Sequence, residues 1–302
     1  MVYTVTFNPA IDYVIEADEL RTGSVNRSGA GHIFWGGKGI NVSAVLNELG
    51  VKSKALGFIA GFTGKAIEEG VRAKGIETDL IELPEGFSRI NVKIRSGGEV
   101  TEINGSGPAI PQSAADTLFG KLDALRDGDM LVLAGSIPNS LPSDIYEKIL
   151  ARLSGKKIKT VVDATKDLLL NTLKYEPFLV KPNIDELGET FGAEIKTVDD
   201  AAHYAGKLRE MGALNVLVSM AGDGALLLDG NGTLRQCPAC RGTVKNTVGA
   251  GDSMLAGFIA GLEKGGYEYA LRLGTAAGGA TAFSDDLAKR GAIYELLETI
   301  DS

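Results

Sequence analysis

The distribution of hydrophobic and polar positions divides this 302-residue chain into two parts. From about Leu131 onward, short apolar runs alternate with segments of helical periodicity. Continuous apolar runs are typical of parallel strands that are buried on both faces, and the amphipathic helices between them cover those faces. This part of the chain therefore predicts an α/β fold, with a doubly wound, mostly parallel sheet and helices on both faces.

The N-terminal part has a different pattern. Segments such as Arg89 to Arg95 alternate polar and apolar positions, which is typical of a sheet that buries only one face. We predict that strands drawn from about 11–30 and 87–105 form a small β-sheet lid. No long linker or repeat interrupts the sequence, so the lid is expected to be inserted into a single domain that spans 1–302.

Composition and charge restrict the classes of partner. With 44% hydrophobic and 23% charged residues, the chain has the composition of a globular protein. The net charge is −8 and no basic run is present, so we expect no nucleic-acid partner. The longest apolar stretches are too short to cross a bilayer, and Val2 to Phe7 read as a strand rather than a signal segment. We therefore expect a cytoplasmic protein without a membrane partner.

Histidine and cysteine are scarce. Cys237 and Cys240 form a single CxxC, and the histidines His32 and His203 are distant from it in sequence. Because a structural zinc site needs four ligands, we interpret the cysteines as an incidental pair. With only two histidines, proton transfer is expected to depend on a carboxylate.

The strongest chemical signal is the segment Asn246-Thr247-Val248-Gly249-Ala250-Gly251-Asp252-Ser253, which opens an apolar helix. Small residues at a helix start let backbone amides approach an anion, and the positive end of the helix dipole faces the same place. A carboxylate at this position would repel a phosphate, so its presence requires a separate role. Proton abstraction is such a role. We predict that Asp252 is a general base. The alternative is an ordinary glycine turn with an acidic residue in the first helical turn.

A second glycine cluster, Gly36-Gly37-Lys38-Gly39-Ile40-Asn41, opens another predicted helix. It is not a P-loop, because Gly31 stands one residue too far away and Gly39 occupies the position of the magnesium-binding Ser or Thr. A GxGxxG fingerprint is also missing after the first strand, which argues against a nicotinamide dehydrogenase. A helix N-terminus with Lys38 and Asn41 suits a sugar or phosphate oxygen, although a flexible turn is the alternative.

Three further segments carry candidate groups. The polar positions of Arg89 to Arg95 share one strand face, which is either the inner wall of a lid over an anion or a solvated surface. Asp12 follows the first strand, where open α/β sheets bind ligands, but it could also cap a turn. Asn183 and Glu186 have the spacing of a helix-capping box, and the same carboxylate could organise water around magnesium.

Together these segments resemble the PfkB branch of the ribokinase-like sugar kinases over nearly the whole chain. Its C-terminal signature corresponds to Val248 to Ser253 and its N-terminal signature to Gly36 to Asn41. Three segments are most similar to the 1-phosphofructokinases of the family, and tagatose-6-phosphate kinases share most of them: Asn8 to Asp12, Arg89 to Lys93 and Thr101 to Gly105. The resemblance implies an ATP-dependent, magnesium-dependent kinase that phosphorylates a hydroxyl of a sugar phosphate, with fructose 1-phosphate as the expected substrate.

The resemblance also implies roles for individual residues. Asp252 would deprotonate the acceptor hydroxyl, and the backbone amides that stabilise the transferred phosphoryl group would be those of Gly249, Ala250 and Gly251. Sugar hydroxyls are expected on Asp12, Gly37 and Asn41, and the phosphate of the substrate on Lys38, Arg89 and Arg27. The residues expected around ATP are Lys181, Asn183, Ser219, Ala221, Gly222, Gly224 and Val248. Glu186 is expected to act on magnesium indirectly, through water.

Several alternatives remain open at this level. The substrate could be tagatose 6-phosphate or fructose 6-phosphate, and a catalytically silent sugar-phosphate sensor could use the same fold. A pure binder has no need of a carboxylate beside a phosphate, so Asp252 favours the kinase. The bulky pair Phe34-Trp35 either narrows the sugar pocket or packs the lid hinge. The resemblance and the exposed face of the lid together suggest a homodimer through the lids.

Overall fold

The structure is a computed structural model that describes residues 1–29 and 31–300. The strands, in chain order, are β1 Val2–Thr6, β2 Ala10–Glu16, β3 Gly31–Gly36, β4 Ser53–Ala60, β5 Glu77–Leu83, β6 Arg89–Ser96, β7 Glu99–Asn104, β8 Met130–Ala134, β9 Lys159–Asp163, β10 Leu179–Val180, β11 Val216–Ser219, β12 Ala225–Leu228 and β13 Leu234–Cys237. The helices are α1 Lys38–Glu48, α2 Gly61–Ala73, α3 Gln112–Asp123, α4 Ile145–Leu153, α5 Lys166–Leu170, α6 Ile184–Phe191, α7 Val198–Glu210, α8 Ala250–Ala282 and α9 Arg290–Ile300. Short 3₁₀ turns cover Leu173–Tyr175 and Ala221–Asp223.

The larger sheet has the strand order β13-β12-β11-β10-β9-β8-β1-β4-β5. In this order, the strands from β5 to β11 are parallel to their neighbours. At the other edge, β12 is antiparallel to β11, and β13 is antiparallel to β12. The predicted mostly parallel, doubly wound α/β fold is confirmed. In such a sheet the carboxyl ends of neighbouring strands lie along one edge, where ligands are usually bound.

Both faces of the larger sheet are buried, as the continuous apolar runs predict. Along β8, Leu131 and Leu133 belong to the core under α3, α4, α6 and α7, while Val132 belongs to the core under α1, α8 and α9. All three side chains are fully buried. Burying each one stabilises the fold by roughly 1.5–3 kcal/mol, which is why neither face of the strand carries a polar residue.

A second, four-stranded sheet has the order β3-β2-β6-β7. The central pair, β2 and β6, is parallel, and the outer strands are antiparallel to their neighbours. Our predicted ranges of 11–30 and 87–105 omit β3, which pairs with β2 from Ala10↔Gly36 to Ile15↔Gly31. The run from Gly31 to Gly36 lacks alternation, so it gives no strand signal by itself, and pairing with β2 places it in the sheet.

The two faces of this smaller sheet, which we call the lid, differ in polarity. Strand register aligns Tyr13 with Ile33 on β3 and, across β6, with Ile103 on β7, and this outer face is apolar. Ile33 and Ile103 are 54% and 61% exposed. The opposite, inner face aligns a row of polar and charged side chains: Asp12, Asn91, Lys93, Arg95 and Glu102.

Helix α8 is broken rather than continuous. Gly265 and Gly266 have non-helical dihedral angles, and φ of Gly266 is +71°. The break divides α8 into a first arm that begins at Ala250 and a second arm that ends at Ala282. Within residues 1–29 and 31–300, no helix is both long enough and apolar enough to cross a membrane.

Candidate active site

The inner face of the lid lines one opening, and the loops at the carboxyl ends of the central strands line another. One is a cleft of about 270 Å³, lined among others by Asp12 and Phe34 of the lid and by Asn41 of α1. The other, about 750 Å³, lies around Lys38 and Asp163 and along the Gly135–Asn139 loop that follows β8. Both openings lie at the sheet edge where open α/β folds bind ligands.

Asp252 lies between these openings, in the first turn of α8, and is only 5% exposed. Its Oδ2 accepts a hydrogen bond of 2.8 Å from Nδ2 of Asn41. Burial and, to a smaller extent, the nearby carboxylate of Asp163 raise the pKa of Asp252 to about 6, against the opposing effects of Lys38, Asn41 and Lys181. A carboxylate with a pKa just below neutrality is well suited to act as a general base at physiological pH.

The amides of the predicted phosphoryl cradle are not equivalent. Among the described residues, the amides of Gly249 and Gly251 donate to no protein acceptor, whereas that of Ala250 donates to the carbonyl of Thr247 at 3.2 Å. Gly249 has φ +80°, a conformation that favours glycine. A Cβ on Gly251 would lie 3.2 Å from Nζ of Lys181, so this ammonium group adjoins the cradle. The free amides and the ammonium lie together at the helix start, an arrangement that suits an anion.

Asp163, which the sequence analysis did not single out, holds two of the predicted cations. Its Oδ2 lies 3.2 Å from Nζ of Lys38, and its Oδ1 lies 3.4 Å from Nζ of Lys181. Burial by itself would raise the pKa of Asp163, but the two ammonium groups hold it below its ordinary value. Its position at the end of β9 was the signal that could have identified it, because such strand ends line the ligand edge.

The second glycine cluster lets α1 start directly against β1. A Cβ on Gly37, whose φ is +131°, would lie 2.6 Å from Cγ2 of Thr6, and one on Gly39 would lie 2.6 Å from Oγ1 of Thr6. The same hydroxyl accepts a hydrogen bond from the amide of Ile40 at 3.1 Å. Lys38 and Asn41 therefore project from a fixed helix start rather than from a flexible turn.

Asp12 and Arg89 lie where the lid meets the larger sheet. Oδ1 of Asp12 accepts a hydrogen bond of 2.7 Å from Nδ2 of Asn91, a buried lid residue that our predicted site did not include. A Cβ on Gly36 would lie 2.3 Å from the other carboxylate oxygen of Asp12. Nε of Arg89 donates to the carbonyl of Asn8 at 3.1 Å, and burial lowers the pKa of Arg89 despite the opposing charge of Asp12.

Asn183 and Glu186 form both hydrogen bonds of a capping box at the start of α6. The amide of Glu186 donates to Oδ1 of Asn183 at 2.7 Å, and the amide of Asn183 donates to Oε2 of Glu186 at 2.9 Å. Glu186 is also close enough to Lys38 to contribute to the raised pKa of that lysine. The capping function thus leaves Oε1 of Glu186 available on the side of the site.

The predicted ATP-site turn lies beside the same segment. The amide of Ser219 donates to the carbonyl of Pro182 at 3.1 Å, next to Asn183. Ala221 has φ +48°, and a Cβ on Gly224 would lie 2.1 Å from the carbonyl oxygen of Cys237, so this position requires glycine. A Cβ on Gly222 would meet no atom within 4 Å, so its backbone is open to a ligand.

Two predicted residues lie apart from their expected neighbours. Arg27 is exposed and lines a separate opening with Arg95 and Lys245, rather than the one around Lys38. Val248, expected at the ATP site, is 42% exposed and lines the lid cleft. Both differences from the expected positions arise from the tertiary structure. Arg27 lies in the loop that follows β2, and Val248 directly precedes Gly249, which has a left-handed conformation.

The bulky pair Phe34-Trp35 serves both of its expected roles. Both side chains line the lid cleft, and Trp35 also packs against α2, where a Cβ on Gly70 would lie 2.1 Å from Cε2 of the indole. Cys237 is buried, and burial raises the pKa of the Cys240 thiol to about 11. The part of the chain that the structure describes contains no group of three or more His, Cys, Asp or Glu side chains arranged to hold a metal ion.

Comparison with known proteins assigns the family. The family model for pfkB family carbohydrate kinases matches residues 5–289. A 1-phosphofructokinase of Bacillus subtilis is 46% identical over 301 residues, covering 99% of this chain and 98% of the relative. A D-tagatose-1-phosphate kinase of Bacillus licheniformis is 40% identical over 95% of this chain and 94% of the relative.

A solved structure has the same fold. It is phosphofructokinase-2 of Escherichia coli in complex with substrates and products, with a TM-score of 0.92 and 26% identity over 100% of this chain and 99% of that chain. A tetrameric inhibited form of that protein has also been solved. The resemblance drawn from the two signature segments is confirmed, and this chain belongs to the pfkB family of carbohydrate kinases.

Proposed function

We propose that this protein transfers the γ-phosphoryl group of ATP to a hydroxyl of fructose 1-phosphate, giving fructose 1,6-bisphosphate and ADP. The observation that carries the proposal is Asp252, a buried carboxylate beside the free amides of Gly249 and Gly251. A carboxylate next to an anion site has a clear use in deprotonating an acceptor hydroxyl and none in a sugar-phosphate sensor. Residues 1–302 would act as one kinase domain with the smaller sheet as its lid.

In the proposed reaction, the proton of the acceptor hydroxyl moves to Asp252. Oδ2 of Asp252 already accepts from Asn41, so Oδ1 is the oxygen that remains for the substrate. The sugar oxygen forms a bond to the γ-phosphorus as the bond from that phosphorus to the bridging oxygen breaks, and ADP leaves. Catalysis then depends on in-line positioning and on stabilisation of the charge on the transferred group.

Charge stabilisation is assigned to groups fixed before the substrate binds. The free amides of Gly249 and Gly251 and the ammonium of Lys181 face the anion site, and Asp163 fixes both Lys181 and Lys38. Preorganised donors of this kind need no reorganisation during the reaction, and loss of one such donor in other enzymes lowers kcat by about 10²–10³-fold. The amide of Ala250 would support the helix turn rather than the phosphoryl group.

The donor set also suits Mg²⁺, which prefers carboxylate oxygens and water. Oε1 of Glu186 is left free by the capping box, and the buried Oδ1 of Asp163 has the ion pair with Lys181, at 3.4 Å, as its contact. Bound there with ATP, Mg²⁺ would neutralise charge on the phosphate oxygens. Glu186 would contribute through water, and Asp163 and Asn183 would keep Lys181 and Glu186 in place.

The substrate itself is assigned to the lid side of the site. Asp12, Gly37 and Asn41 would hold sugar hydroxyls, and Lys38 and Arg89 the phosphate already present. Because Arg27 lies with Arg95 and Lys245 in a neighbouring opening, we do not assign it to this phosphate. Ser219, Ala221, Gly222 and Gly224 would border the nucleotide.

The choice of sugar rests on the relatives. The 1-phosphofructokinase relative is 46% identical over nearly the whole chain, which favours fructose 1-phosphate. The relative named D-tagatose-1-phosphate kinase, at 40% identity, makes tagatose 1-phosphate the alternative, which differs from fructose 1-phosphate only in the configuration at C4. Both relatives are named for 1-phosphates, so a 6-phosphate substrate is the weaker candidate.

The test is ADP release with ATP and Mg²⁺, comparing fructose 1-phosphate, tagatose 1-phosphate, tagatose 6-phosphate, fructose 6-phosphate and unphosphorylated fructose. Turnover on fructose 1-phosphate that disappears in Asp252→Ala is the expected result. Preference for another sugar phosphate would keep the kinase and change its substrate. Binding of a sugar phosphate by folded protein without turnover on any of these sugars would replace the kinase by a sensor.

We also propose that two copies associate through the apolar outer faces of their lids. Ile33 and Ile103, exposed at 54% and 61%, lie on this face of a four-stranded sheet. Large exposed apolar patches are typical of association surfaces. Light scattering should give a dimer for the native chain and a monomer for Ile33→Lys/Ile103→Lys, and a native monomer at micromolar concentration would contradict the proposal.

A further inference from the structure

A buried chain of hydroxyl groups connects the first turn of α8 to the segment that follows its end. Oγ1 of Thr281 donates to Oγ of Ser253 at 2.7 Å and accepts a hydrogen bond from the amide of Ala288 at 3.0 Å. Thr281 and Ser253 are 1% and 0% exposed. Ser253 directly follows Asp252, so this chain of hydroxyls lies immediately behind the proposed base. The reaction proposed above uses neither hydroxyl.

The break in α8 brings these hydroxyls together. The two arms of α8 fold back on each other, and glycines let them approach closely: a Cβ on Gly278 would lie 3.2 Å from the carbonyl oxygen of Ala250. A Cβ on Gly274 would lie 2.8 Å from the carbonyl oxygen of Met254. The end of the second arm therefore lies alongside the start of the first. This is why Thr281 contacts Ser253 across 28 positions of sequence.

The bond to Ala288 also fixes its neighbour, Leu287. Cδ2 of Leu287 lies 2.7 Å from the position that a Cβ on Gly249 would occupy, so the leucine packs directly on the glycine at the start of the cradle. Leu287 also lines the lid cleft. Nδ2 of Asn41 lies 3.7 Å from the same Cβ position. The leucine and the asparagine that binds Asp252 therefore both approach the side of the glycine that lacks a side chain.

The ion pairs of this segment are at the surface, whereas Ala288 is buried in the core and Leu287 packs against it. Lys289 pairs with Glu48 at 2.9 Å and Lys74 with Asp286 at 3.5 Å, with partly exposed side chains. Such pairs contribute little to stability, about 0–1 kcal/mol each. The buried hydrogen bond between Thr281 and Ala288 is therefore a stronger polar constraint on where Leu287 lies than either ion pair.

We infer that Thr281 is a positioning residue for phosphoryl transfer: it holds Leu287 on Gly249 and so keeps the amides at the start of α8 aimed at the transferred group. This inference rests on the proposed kinase function. Glycine at φ +80° has wide conformational freedom, so a neighbour must fix it. A displacement of about 1 Å at a reacting centre can lower the rate on the order of 10²-fold.

The test compares variants that differ only in hydroxyl groups of this helix. Thr281→Val removes the hydroxyl at nearly constant shape, and Thr281→Ser keeps it. Thr275→Val is the matched control, because Thr275 is also buried on the second arm, but its hydroxyl donates within that arm, to the carbonyl of Leu271 at 2.9 Å. We expect Thr281→Val to lower kcat by about tenfold or more, with both KM values changed by about twofold or less. Thr281→Ser and Thr275→Val should retain kcat.

A double-mutant cycle separates positioning from general stability. If Thr281 acts through Leu287, Leu287→Ala should lower kcat similarly, and the double variant should be little worse than either single variant. Equal kcat in Thr281→Val and Thr275→Val, or additive losses in the cycle, would overturn the inference. Should Thr281→Val fail to fold, Ser253→Ala and Leu287→Ala probe the same connection from its two ends. Wild-type protein inactive on every sugar phosphate would instead refute the proposed function, before any variant is compared.

Discussion

Asn41, in the first turn of α1, donates a 2.8 Å hydrogen bond to Asp252, in the first turn of α8, across 211 positions of sequence. The two glycine-rich signatures of the chain therefore form one site, in which two helix starts converge. The bond has an electrostatic effect as well, because it favours the charged form of Asp252 and opposes the rise in pKa that burial causes.

This contact predicts a pH dependence of the reaction. Because Asp252 must be deprotonated to act as a base, kcat/KM should rise with pH to a plateau, with an acidic limb near its pKa of about 6. Asn41→Leu removes the hydrogen bond to the carboxylate and should move the acidic limb to higher pH, besides weakening sugar binding. The measurement is the pH profile of kcat/KM. An acidic limb at the same pH in both proteins would show that Asn41 does not tune Asp252.

The same carboxylate should reduce the stability of the protein at alkaline pH. Its pKa in the folded state, about 6, lies above the ordinary value of 3.8, so the buried charge is unfavourable above pH 6 and the penalty disappears as pH falls toward 4. Asp252→Asn should therefore raise the free energy of unfolding by about 1–3 kcal/mol at pH 8 and by about half as much at pH 5.

Denaturant unfolding at the two pH values measures this difference. Glu69→Gln, at an exposed position of α2, is the control for loss of a surface carboxylate and should change stability by less than about 0.5 kcal/mol at either pH. A destabilised Asp252→Asn at pH 8 would mean that Lys38, Lys181 and Asn41 stabilise the carboxylate more than burial costs.

Asp163→Asn should damage both stability and catalysis. The substitution leaves Lys181, with only 4% of its side chain exposed, without its anionic partner, and it releases Lys38. Breaking a buried ion pair typically costs about 3–5 kcal/mol. We expect that loss in denaturant unfolding, together with a fall of at least about 10²-fold in kcat/KM. Lys38→Met, which keeps the buried Asp163–Lys181 pair, should lose less stability, and equal losses would argue against this arrangement.

Tyr146→Phe tests the loop that lines the opening around Lys38. The hydroxyl of Tyr146 donates to the carbonyl of Gly135 at 2.9 Å, and the fully buried ring packs against Phe7 with 5.7 Å between centroids. Phenylalanine keeps the packing but removes the hydrogen bond, so we expect a loss of about 1–2 kcal/mol in unfolding free energy.

In the kinetics, Tyr146→Phe should affect the binding of the sugar phosphate and not the chemical step. A looser Gly135–Asn139 loop should raise KM for the sugar phosphate several-fold, with kcat nearly unchanged. Tyr204→Phe, on α7, removes another tyrosine hydroxyl at a position that lines neither opening and should leave KM unchanged. An unchanged KM in Tyr146→Phe would show that this loop does not contribute to the sugar site.

Sequence alone determined the features that depend on neighbouring positions. The apolar runs and helical periods predicted the α/β fold, because strands buried on both faces are apolar at every position and helix burial repeats every 3.6 residues. The two glycine clusters were found for the same reason, since a helix start open to an anion needs small residues at adjacent positions. The capping box of Asn183 and Glu186 is also local, with both of its hydrogen bonds spanning three residues.

Tertiary structure decided the contacts that join distant segments. No pattern near Asp163 indicates that it pairs with Lys38, 125 positions away, or that Thr281 bonds to Ser253. Strand β3 became part of the lid through pairing with β2, and the loop that follows β2 places Arg27 at the opening that Arg95 and Lys245 also line. Local periodicity encodes which residues are buried, but which buried groups meet depends on strand order and helix packing, and these arise only when the whole chain folds.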